Sequence, residues 1–306
     1  MRYTLVMAEH IAPVNGIDLC YETYGDPVNP TVLLVMGLGT QMIAWHEDFC
    51  ELIAAEGFHV VRYDNRDVGR STHFRDVRPP RPVELFTRRI KNPAYTLEDM
   101  ADDAVGLLEH LGVDGAHVVG ASMGGMIAQT VAVRSPARVL SLTSIMSTTG
   151  GRFVGQPKPH VYSVLLKPAP PERDAFVERG LHVLGIIGSK AYPGEPDEVR
   201  ERMGRAFDRA YDPGGAGRQL GAIVAAGNRT RALRTITAPT LVLHGEADPL
   251  IPMSGGRATA AAIPGAVLEL IPKMGHDLPY ELWPRIAGGI VRNARRAPVR
   301  ASAPAA

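Results

Sequence analysis

The sequence predicts an α/β protein with a doubly wound, mostly parallel sheet and an inserted, mainly helical cap. Short continuous apolar segments at 31–36, 58–63 and 116–120 are typical of strands in a sheet that is covered on both faces. Stretches with helical periodicity separate these segments, and this alternation predicts parallel strands with helices on both sides. From residue 148 to about 228 the alternation stops, and the chain becomes richer in proline, glycine and charge.

The elements of the first half follow from their periodicity. Residues 17–24 alternate and are rich in β-formers, which predicts a strand, and 43–56 predicts a helix before the strand at 58–63. Residues 97–111 predict another helix, with Thr96 as its N-cap and Gly112 at its end. The apolar residues that share one face of that helix are Leu97, Ala101, Ala104, Leu108 and Leu111.

The second half begins with a helix that starts at Ser122 and stops at Ser135, before Pro136. The elements predicted after it are a strand at 139–145, helices near 172–183 and 196–211, a strand at 240–244, a helix at 255–262, a strand at 267–271 and a helix at 281–295. We therefore predict an α/β core formed by 1–147 and 229–296, a cap at 148–228 and a flexible tail at 297–306.

Composition excludes several classes of protein. The chain has 306 residues, 45% of them hydrophobic and 21% charged, with a formal net charge of +1. Because no basic stripe and no apolar stretch of about 20 residues occurs, we expect neither nucleic-acid binding nor a membrane span. Two cysteines, Cys20 and Cys50, provide no disulfide framework and no metal-ligand spacing. With no secretion signal near the N-terminus, a cytoplasmic location is expected.

The pentapeptide at 120–124 carries the strongest chemical signal. Gly120-Ala121-Ser122-Met123-Gly124 follows an apolar strand and precedes a helical stretch, so it matches the G-x-S-x-G turn that exposes a nucleophilic serine. This turn is too tight for large side chains two residues before and two after the serine, and glycine stands at both places. The sequence therefore predicts Ser122 as a nucleophile at the N-terminus of a helix.

A serine nucleophile needs a general base and an acid that orients the base. Asp248 follows the strand at 240–244 and His276 follows the strand at 267–271, in the order Ser, Asp, His expected for this turn. We predict Asp248 as the acid and His276 as the base. The alternatives are Glu246 as the acid, His244 as the base, and a purely local turn made by Asp248 before Pro249. A further histidine, His73, is a candidate for the edge of the site.

The oxyanion of a tetrahedral intermediate requires two hydrogen-bond donors. One is predicted to be the backbone N–H of Met123, directly after the nucleophile, and the other the N–H of Leu38 in the glycine-rich loop after 31–36. That loop, Gly37-Leu38-Gly39, is also how a dinucleotide-binding motif begins. The motif is not completed, because position 42 is Met42 rather than glycine.

With these residues the chain resembles the α/β-hydrolase superfamily from about residue 14 to 295. The segment Asp64-Asn65-Arg66-Asp67-Val68-Gly69-Arg70-Ser71 is similar to the D-x-R-x-x-G-x-S segment of that family, for which we predict a structural role. The stretches 36–42 and 62–67 are similar to those of bacterial carboxylesterases near the aclacinomycin methylesterase branch. Met36-Gly37 stands where the superfamily commonly has His-Gly, which makes the floor of the site more apolar.

The resemblance and the predicted triad together imply hydrolysis of a small-molecule carboxylic ester through an acyl-enzyme, with no metal and no organic cofactor. Candidate substrate-binding residues are Gly37, Trp45, Leu250 and Ile251. The same triad leaves open cofactor-free haloperoxidase or perhydrolase activity and hydrolysis of lactones or carbon-carbon bonds. A noncatalytic ligand-binding protein is the alternative outside enzymology.

Overall fold

A computed structural model describes residues 8–162 and 169–298, and an eight-stranded sheet lies at the centre of this part of the chain. The strands are β1 (His10–Val14), β2 (Ile17–Tyr24), β3 (Thr31–Val35), β4 (His59–Tyr63), β5 (Ala116–Ala121), β6 (Val139–Ile145), β7 (Thr240–Gly245) and β8 (Val267–Ile271). Their order across the sheet is β1-β2-β4-β3-β5-β6-β7-β8. Strand β2 pairs antiparallel with β1 and β4, and all the other pairs are parallel, so the predicted doubly wound, mostly parallel sheet is confirmed.

Helices cover both faces of the sheet. The α-helices of the described residues are α1 (Glu47–Ala54), α2 (Pro82–Thr87), α3 (Leu97–His110), α4 (Met123–Arg134), α5 (Arg173–Ile187), α6 (Pro196–Arg209), α7 (Gly215–Ala226), α8 (Thr230–Leu233), α9 (Ser254–Ala262) and α10 (Trp283–Ala294). The apolar sides of α3 and α4 pack in one hydrophobic cluster, and those of α1 and α10 pack in a second cluster on the opposite face. The sheet is therefore buried on both sides, as its continuous apolar strands predict.

The register of the parallel strands aligns their carboxyl ends. Val35 pairs with Gly120, Ala121 with Ile145, and Gly245 with Ile271. The loops that follow β3, β5, β7 and β8 consequently open at the same edge of the sheet, which is where open α/β sheets bind ligands. Every residue predicted to act in catalysis lies in or directly beside one of these loops.

Local capping explains where two helices begin. At α3 the Asp99 N–H donates to Thr96 Oγ1 at 3.1 Å and the Thr96 N–H donates to Asp99 Oδ2 at 2.7 Å, a reciprocal box that confirms Thr96 as the N-cap. The single helix predicted at 43–56 is wrong at its start. A 3-10 helix at Met42–Ala44 comes first, and α1 begins only after His46, whose Nδ1 accepts the Asp48 N–H.

Between β6 and β7 the described residues form helices and turns and no strand. The helical patterns near 172–183 and 196–211 correspond to α5 and α6. Helix α7 was not predicted, because Gly215, Gly217 and Gly221 lower its helix propensity. These glycines serve close packing: a side chain at 215 would overlap the Asp67 carbonyl group, and one at 217 would lie 2.8 Å from Pro79. Strand β1 and the short helices α2 and α8 were also missed.

Buried ion pairs attach the β6–β7 insertion to the segment after β4. Arg209, at the end of α6, donates to Asp64 Oδ2 at 2.7 Å, and Arg218 of α7 donates to both carboxylate oxygens of Asp67 at 2.8 Å. Asp64 also accepts the Met42 and Arg70 amides. Removing one partner of such a buried pair typically costs about 3–5 kcal/mol. The family-like segment at 64–71 is thus a structural anchor, as predicted.

Neither a membrane-spanning helix nor most of the predicted tail is found among the described residues. No helix in 8–162 or 169–298 is both long enough and apolar enough to cross a bilayer. Most of the predicted tail at 297–306 lies outside the described residues, which end at 298. Helix α10, predicted at 281–295, ends at Ala294, and its apolar face packs in the second hydrophobic cluster.

Three buried histidines predict loss of stability in acid. Burial lowers the pKa of His117 from 6.5 to about 4, and it also lowers the pKa of His59 and of His244. Because the unfolded chain binds these protons more tightly than the folded chain, stability is full above pH 6.5 and falls as the pH approaches 4. At about 1.4 kcal/mol per pH unit, His117 alone contributes a loss of about 3 kcal/mol.

Urea unfolding between pH 7 and pH 4 tests this expectation. His117→Gln should reduce the acid-dependent loss of unfolding free energy, even if it lowers stability at pH 7. The matched control is His110→Gln, which changes an exposed histidine at the end of α3 and should keep the wild-type loss. Equal pH dependence in His117→Gln and the wild type would contradict the assignment.

Candidate active site

Ser122 lies in a strained turn between β5 and α4. Its φ of 57° and ψ of −118° are unusual for a residue with a side chain, and they turn the chain sharply from strand to helix. The backbone is held in place because the Ser122 N–H donates to the Ile145 carbonyl at 2.9 Å and Ser147 Oγ donates to the Ser122 carbonyl at 2.8 Å. The Ser122 hydroxyl does not cap α4, so it is available for another partner.

The turn depends on glycine at two positions. A Cβ atom at residue 120 would lie 2.6 Å from the Gly125 nitrogen, and a Cβ at residue 124 would lie 2.6 Å from the Val35 carbonyl carbon and 2.8 Å from the Met36 oxygen. Real Cβ atoms do not approach backbone atoms this closely. The start of α4 therefore packs directly against the end of β3. Glycine is required two residues before Ser122 and two residues after it.

Ser122, His276 and Asp248 form a continuous chain of hydrogen bonds. The Ser122 hydroxyl lies 3.0 Å from His276 Nε2, and His276 Nδ1 lies 2.7 Å from Asp248 Oδ2. A carboxylate only accepts hydrogen bonds, so Nδ1 carries the ring proton and Nε2 is left to accept the serine proton. The structure therefore brings together the three side chains selected from the sequence, although they lie 126 and 28 residues apart.

The two carboxylate oxygens of Asp248 have different partners. Oδ1 accepts the N–H groups of Leu250 and Ile251, both at 2.8 Å, which is a local turn of the Asx type. Oδ2 faces His276. The local-turn interpretation and the acid interpretation of Asp248 are thus compatible, because the backbone bonds fix the carboxylate in the orientation that His276 requires. Asp248 is fully buried, while Glu246 is exposed to solvent.

The loop after β3 lies against Ser122. A Cβ at Gly37 would be 3.1 Å from the Ser122 Cβ, so the loop that carries Leu38 contacts the elbow directly. Met123 is the first residue of α4, where backbone N–H groups have no partner within the helix. The predicted oxyanion donors, the amides of Leu38 and Met123, therefore belong to two adjacent segments beside the hydroxyl.

The rival histidines have structural partners. His244 Nε2 donates to the Ile251 carbonyl at 2.6 Å, its side chain is fully buried, and Nδ1 is unpartnered within the described residues. Burial lowers the His244 pKa, so the ring is neutral and supports the loop that carries Asp248. His73 bonds through both ring nitrogens, to Asp212 and to the Gly69 carbonyl, each at 2.9 Å. It joins the β6–β7 insertion to the segment after β4.

The predicted substrate-binding residues have different surroundings. Trp45 is a correction: its side chain is fully buried and stacks on Phe49 in the second hydrophobic cluster, so it presents no surface to a substrate. Ile251 is also buried, whereas Leu250 is partly buried beside Val161 and Ile187 of the insertion. The remaining candidate, Gly37, faces Ser122.

One group of possible metal ligands occurs in 8–162 and 169–298. Asp67, His73 and Asp212 place one ligand atom each within 4.8 Å of one another. The guanidinium of Arg218 donates to the carboxylates of both Asp67 and Asp212, so a positively charged side chain already pairs with them. The donor set therefore already has a cation of its own, and it belongs to the anchor between α7 and the segment after β4.

Residues from the insertion that contact the site were missed by sequence reasoning. Ser189 Oγ accepts the Gly275 N–H at 2.7 Å and donates to Asp277 Oδ1 at 2.5 Å, and the His276 N–H donates to the Ile187 carbonyl at 2.7 Å. Burial raises the pKa of Asp277, although the bonds from Ser189 oppose this effect. No periodicity or motif marks these contacts, because they depend on how the insertion folds back.

The chain is similar to proteins of a known family over much of its length. Residues 30–179 match a family model described as the alpha/beta hydrolase fold. The chain belongs to the α/β-hydrolase family, as its motifs predict.

Three proteins illustrate the relationship. The rhodomycin D methylesterase of Streptomyces sp. (strain C5) is 30% identical, and the match covers 92% of this chain and 97% of the relative. The bifunctional esterase/perhydrolase of Acinetobacter calcoaceticus is 26% identical, with 88% and 93% covered. The crystal structure of the enol-lactonase from Burkholderia xenovorans is 23% identical and superposes with a TM-score of 0.74, covering 94% of this chain and all of the other. The predicted resemblance to bacterial carboxylesterases near the aclacinomycin methylesterase branch is confirmed.

The elbow predicts a strong effect for one added methyl group. Gly124→Ala forces a Cβ against the backbone of β3, so we expect at least about 2 kcal/mol of destabilisation and loss of any esterase activity. The matched control is Gly288→Ala in α10, where the new Cβ meets only the flexible Arg292 side chain. That variant should be neutral or slightly more stable. Thermal unfolding of both variants is the measurement, and equal melting temperatures would contradict the packing argument.

Proposed function

We propose that this protein hydrolyses carboxylic esters through an acyl-enzyme in which Ser122 is the nucleophile. The observation that carries the proposal is the hydrogen-bonded chain from the Ser122 hydroxyl through His276 to buried Asp248, at 3.0 and 2.7 Å. Membership of the α/β-hydrolase family and the methylesterase relative support the same reaction. The two sequence relatives described above are a methylesterase and an esterase/perhydrolase, and they do not favour the lactone, carbon-carbon or noncatalytic alternatives for this chain.

In the first half of the reaction, His276 Nε2 accepts the Ser122 proton while Oγ attacks the ester carbonyl carbon. The carbonyl oxygen becomes an oxyanion, which the amides of Leu38 and Met123 stabilise. Asp248 stabilises the imidazolium and keeps the ring oriented. The imidazolium then gives the proton to the alcohol oxygen, the carbon-oxygen bond breaks, and the acyl group stays on Ser122.

In the second half, water replaces the alcohol. His276 accepts a proton from the water, whose oxygen attacks the acyl carbon, and the same two amides stabilise the second oxyanion. The bond to Ser122 breaks as His276 returns the proton to Oγ, and the carboxylic acid leaves. Each step uses the side chains and amides of this chain, so the scheme requires no added metal or organic cofactor.

The substrate is proposed to be a small-molecule ester with a short alcohol group. The similarity to a rhodomycin D methylesterase supports a methyl ester. The acyl part is expected to contact the apolar surface around Leu38 and Leu250, both partly buried beside hydrophobic clusters. Gly37 leaves room next to Ser122, where a side chain would crowd the nucleophile.

We also propose that residues 148–228 form a cap over the carboxyl edge of the sheet. The Arg229 N–H donates to the Thr149 carbonyl at 2.8 Å, which closes the two ends of the insertion close to the proposed boundaries. The contacts of Ile187 and Ser189 with the His276 loop support a position over the site. The free thiols of Cys20 and Cys50 support a reducing, cytoplasmic location, which cell fractionation would test.

Hydrolysis of p-nitrophenyl acetate and butyrate, and release of methanol from methyl esters, test the proposal. We expect Ser122→Ala to lower kcat by at least about 10⁴-fold. Asp248→Asn should lower kcat by about 10²- to 10⁴-fold. The asparagine amide donates to His276 Nδ1, so the ring proton moves to Nε2, and Nε2 can no longer accept the serine proton. A fluorophosphonate should label the protein once. Mass spectrometry should locate the adduct on the peptide that contains Ser122.

The control for the serine variant is Ser135→Ala, which removes a hydroxyl from the far end of α4 and should keep wild-type kinetics. Ester hydrolysis at the wild-type rate by folded Ser122→Ala, or labelling at another residue, would contradict the proposed function.

A further inference from the structure

A glutamine of the insertion holds the loop that carries the predicted oxyanion donor. Gln219 lies in α7 and is fully buried. Its Oε1 accepts the Gly39 N–H at 2.7 Å, and its Nε2 donates to the Arg66 carbonyl at 2.8 Å. Both ends of the amide are therefore used, one on the loop after β3 and the other on the segment after β4.

The loop is fixed on its two sides by different parts of the molecule. Gly37 packs against Ser122, since a Cβ atom added at Gly37 would lie 3.1 Å from the Ser122 Cβ. Gly39 has a φ of 63°, and a Cβ there would lie 2.9 Å from the Ala216 Cβ of α7. Leu38 lies between these two glycines. Because glycine permits many backbone conformations, the direction of the Leu38 N–H depends on contacts outside the loop.

We propose that Gln219 is a positioning residue for the oxyanion loop, so that the insertion is a working part of the active site. The proposal rests on the function assigned to Ser122 above. Gln219 does not touch the reacting atoms. It orients the Leu38 amide by holding the next peptide group, and displacement of α7 releases that group and weakens the oxyanion site.

Helix α7 has an anchor that does not involve Gln219. Arg218 donates to both oxygens of Asp67 at 2.8 Å, and Asp212 accepts from the same guanidinium. The Arg66 side chain is likewise paired with Asp103 at 2.7 Å. A change at Gln219 therefore leaves the helix attached and the neighbouring charges paired, which separates loop positioning from folding.

The contacts of the insertion with the His276 loop support the same interpretation. Ser189 joins Gly275 to Asp277, and the Ile187 carbonyl holds the His276 amide. The insertion thus contacts two of the four loops that the mechanism uses, the one after β3 through Gln219 and the one after β8 through Ser189.

The test compares two buried glutamines. Gln219→Met preserves size and removes both hydrogen bonds, and Gln129→Met makes the same change in α4, where the glutamine is fully buried and donates to Ser144 Oγ at 3.1 Å. The readouts are melting temperature, kcat and KM for p-nitrophenyl butyrate, and the inhibition constant of an alkyl boronic acid. The boronate forms a tetrahedral adduct with serine and therefore reports on the oxyanion site.

For Gln219→Met we expect kcat to fall by about 10- to 100-fold. This is less than the roughly 10²- to 10³-fold loss when an oxyanion donor is removed, because the Leu38 amide is still present. Boronate affinity should fall by a similar factor, with KM changed by less than about threefold, because ground-state binding does not use the donor. Gln129→Met should lower the melting temperature comparably and keep kcat and boronate affinity within about threefold of the wild type. Equal effects of the two variants on kcat and boronate affinity would overturn the proposal.

A conservative variant provides rescue and covers the case in which Gln219→Met does not fold. In Gln219→Glu, the protonated carboxyl has the shape of the amide, accepts from Gly39 and donates to the Arg66 carbonyl, whereas the ionised form repels that carbonyl. The ratio of its kcat/KM to that of the wild type should rise as the pH falls. A ratio that stays constant with pH would overturn the proposal. Retained activity in Ser122→Ala would instead refute the proposed function itself.

Discussion

The turn that carries Ser122 forms because two glycines allow backbone segments to meet where no side chain fits. Gly124 lies against the carbonyl groups of Val35 and Met36, and Gly120 lies against the first turn of α4. This contact sets the distance between the end of β3 and the start of α4. It therefore places the loop of Leu38 beside Ser122, whose φ is 57°. The strain of that conformation is offset by the backbone bonds that hold the turn.

The catalytic arrangement draws on both the sheet and the insertion. The sheet brings the loops after β3, β5, β7 and β8 to one edge, which is a consequence of parallel strands in register. The insertion then contacts the loops that follow β3 and β8. Buried pairs such as Arg218 with Asp67 attach it to the core, while Gln219 bonds to Gly39 in the first of these loops and Ser189 to Gly275 in the second.

Much of this arrangement could be predicted from the sequence, for physical reasons. Buried parallel strands appear as continuous apolar segments. Asp248 and His276 could be selected because each lies in the loop after a predicted strand. The elbow has a steric signature, since only glycine fits on both sides of Ser122. Thr96 could be assigned as an N-cap from its residue type and its position before an amphipathic stretch.

Other features depend on tertiary contacts that leave no local signal. Trp45 follows the oxyanion loop, but its ring is buried on Phe49 because the chain turns into the core before α1. Helix α7 is rich in glycine because it packs closely on Asp67, Pro79 and Pro80. These glycines lower its helix propensity, so the sequence does not predict it. Gln219 was missed because it lies in that unpredicted helix and because its partner Gly39 is 180 residues away.

The most direct test is a crystal structure of the protein inactivated by an alkyl fluorophosphonate, whose adduct resembles the tetrahedral intermediate. We predict phosphorus bonded to Ser122 Oγ, with one phosphonyl oxygen about 2.7–3.1 Å from the amide nitrogens of both Leu38 and Met123. His276 should lie between Ser122 and Asp248. A phosphonyl oxygen directed away from these two amides, or an adduct on a residue other than Ser122, would contradict the mechanism.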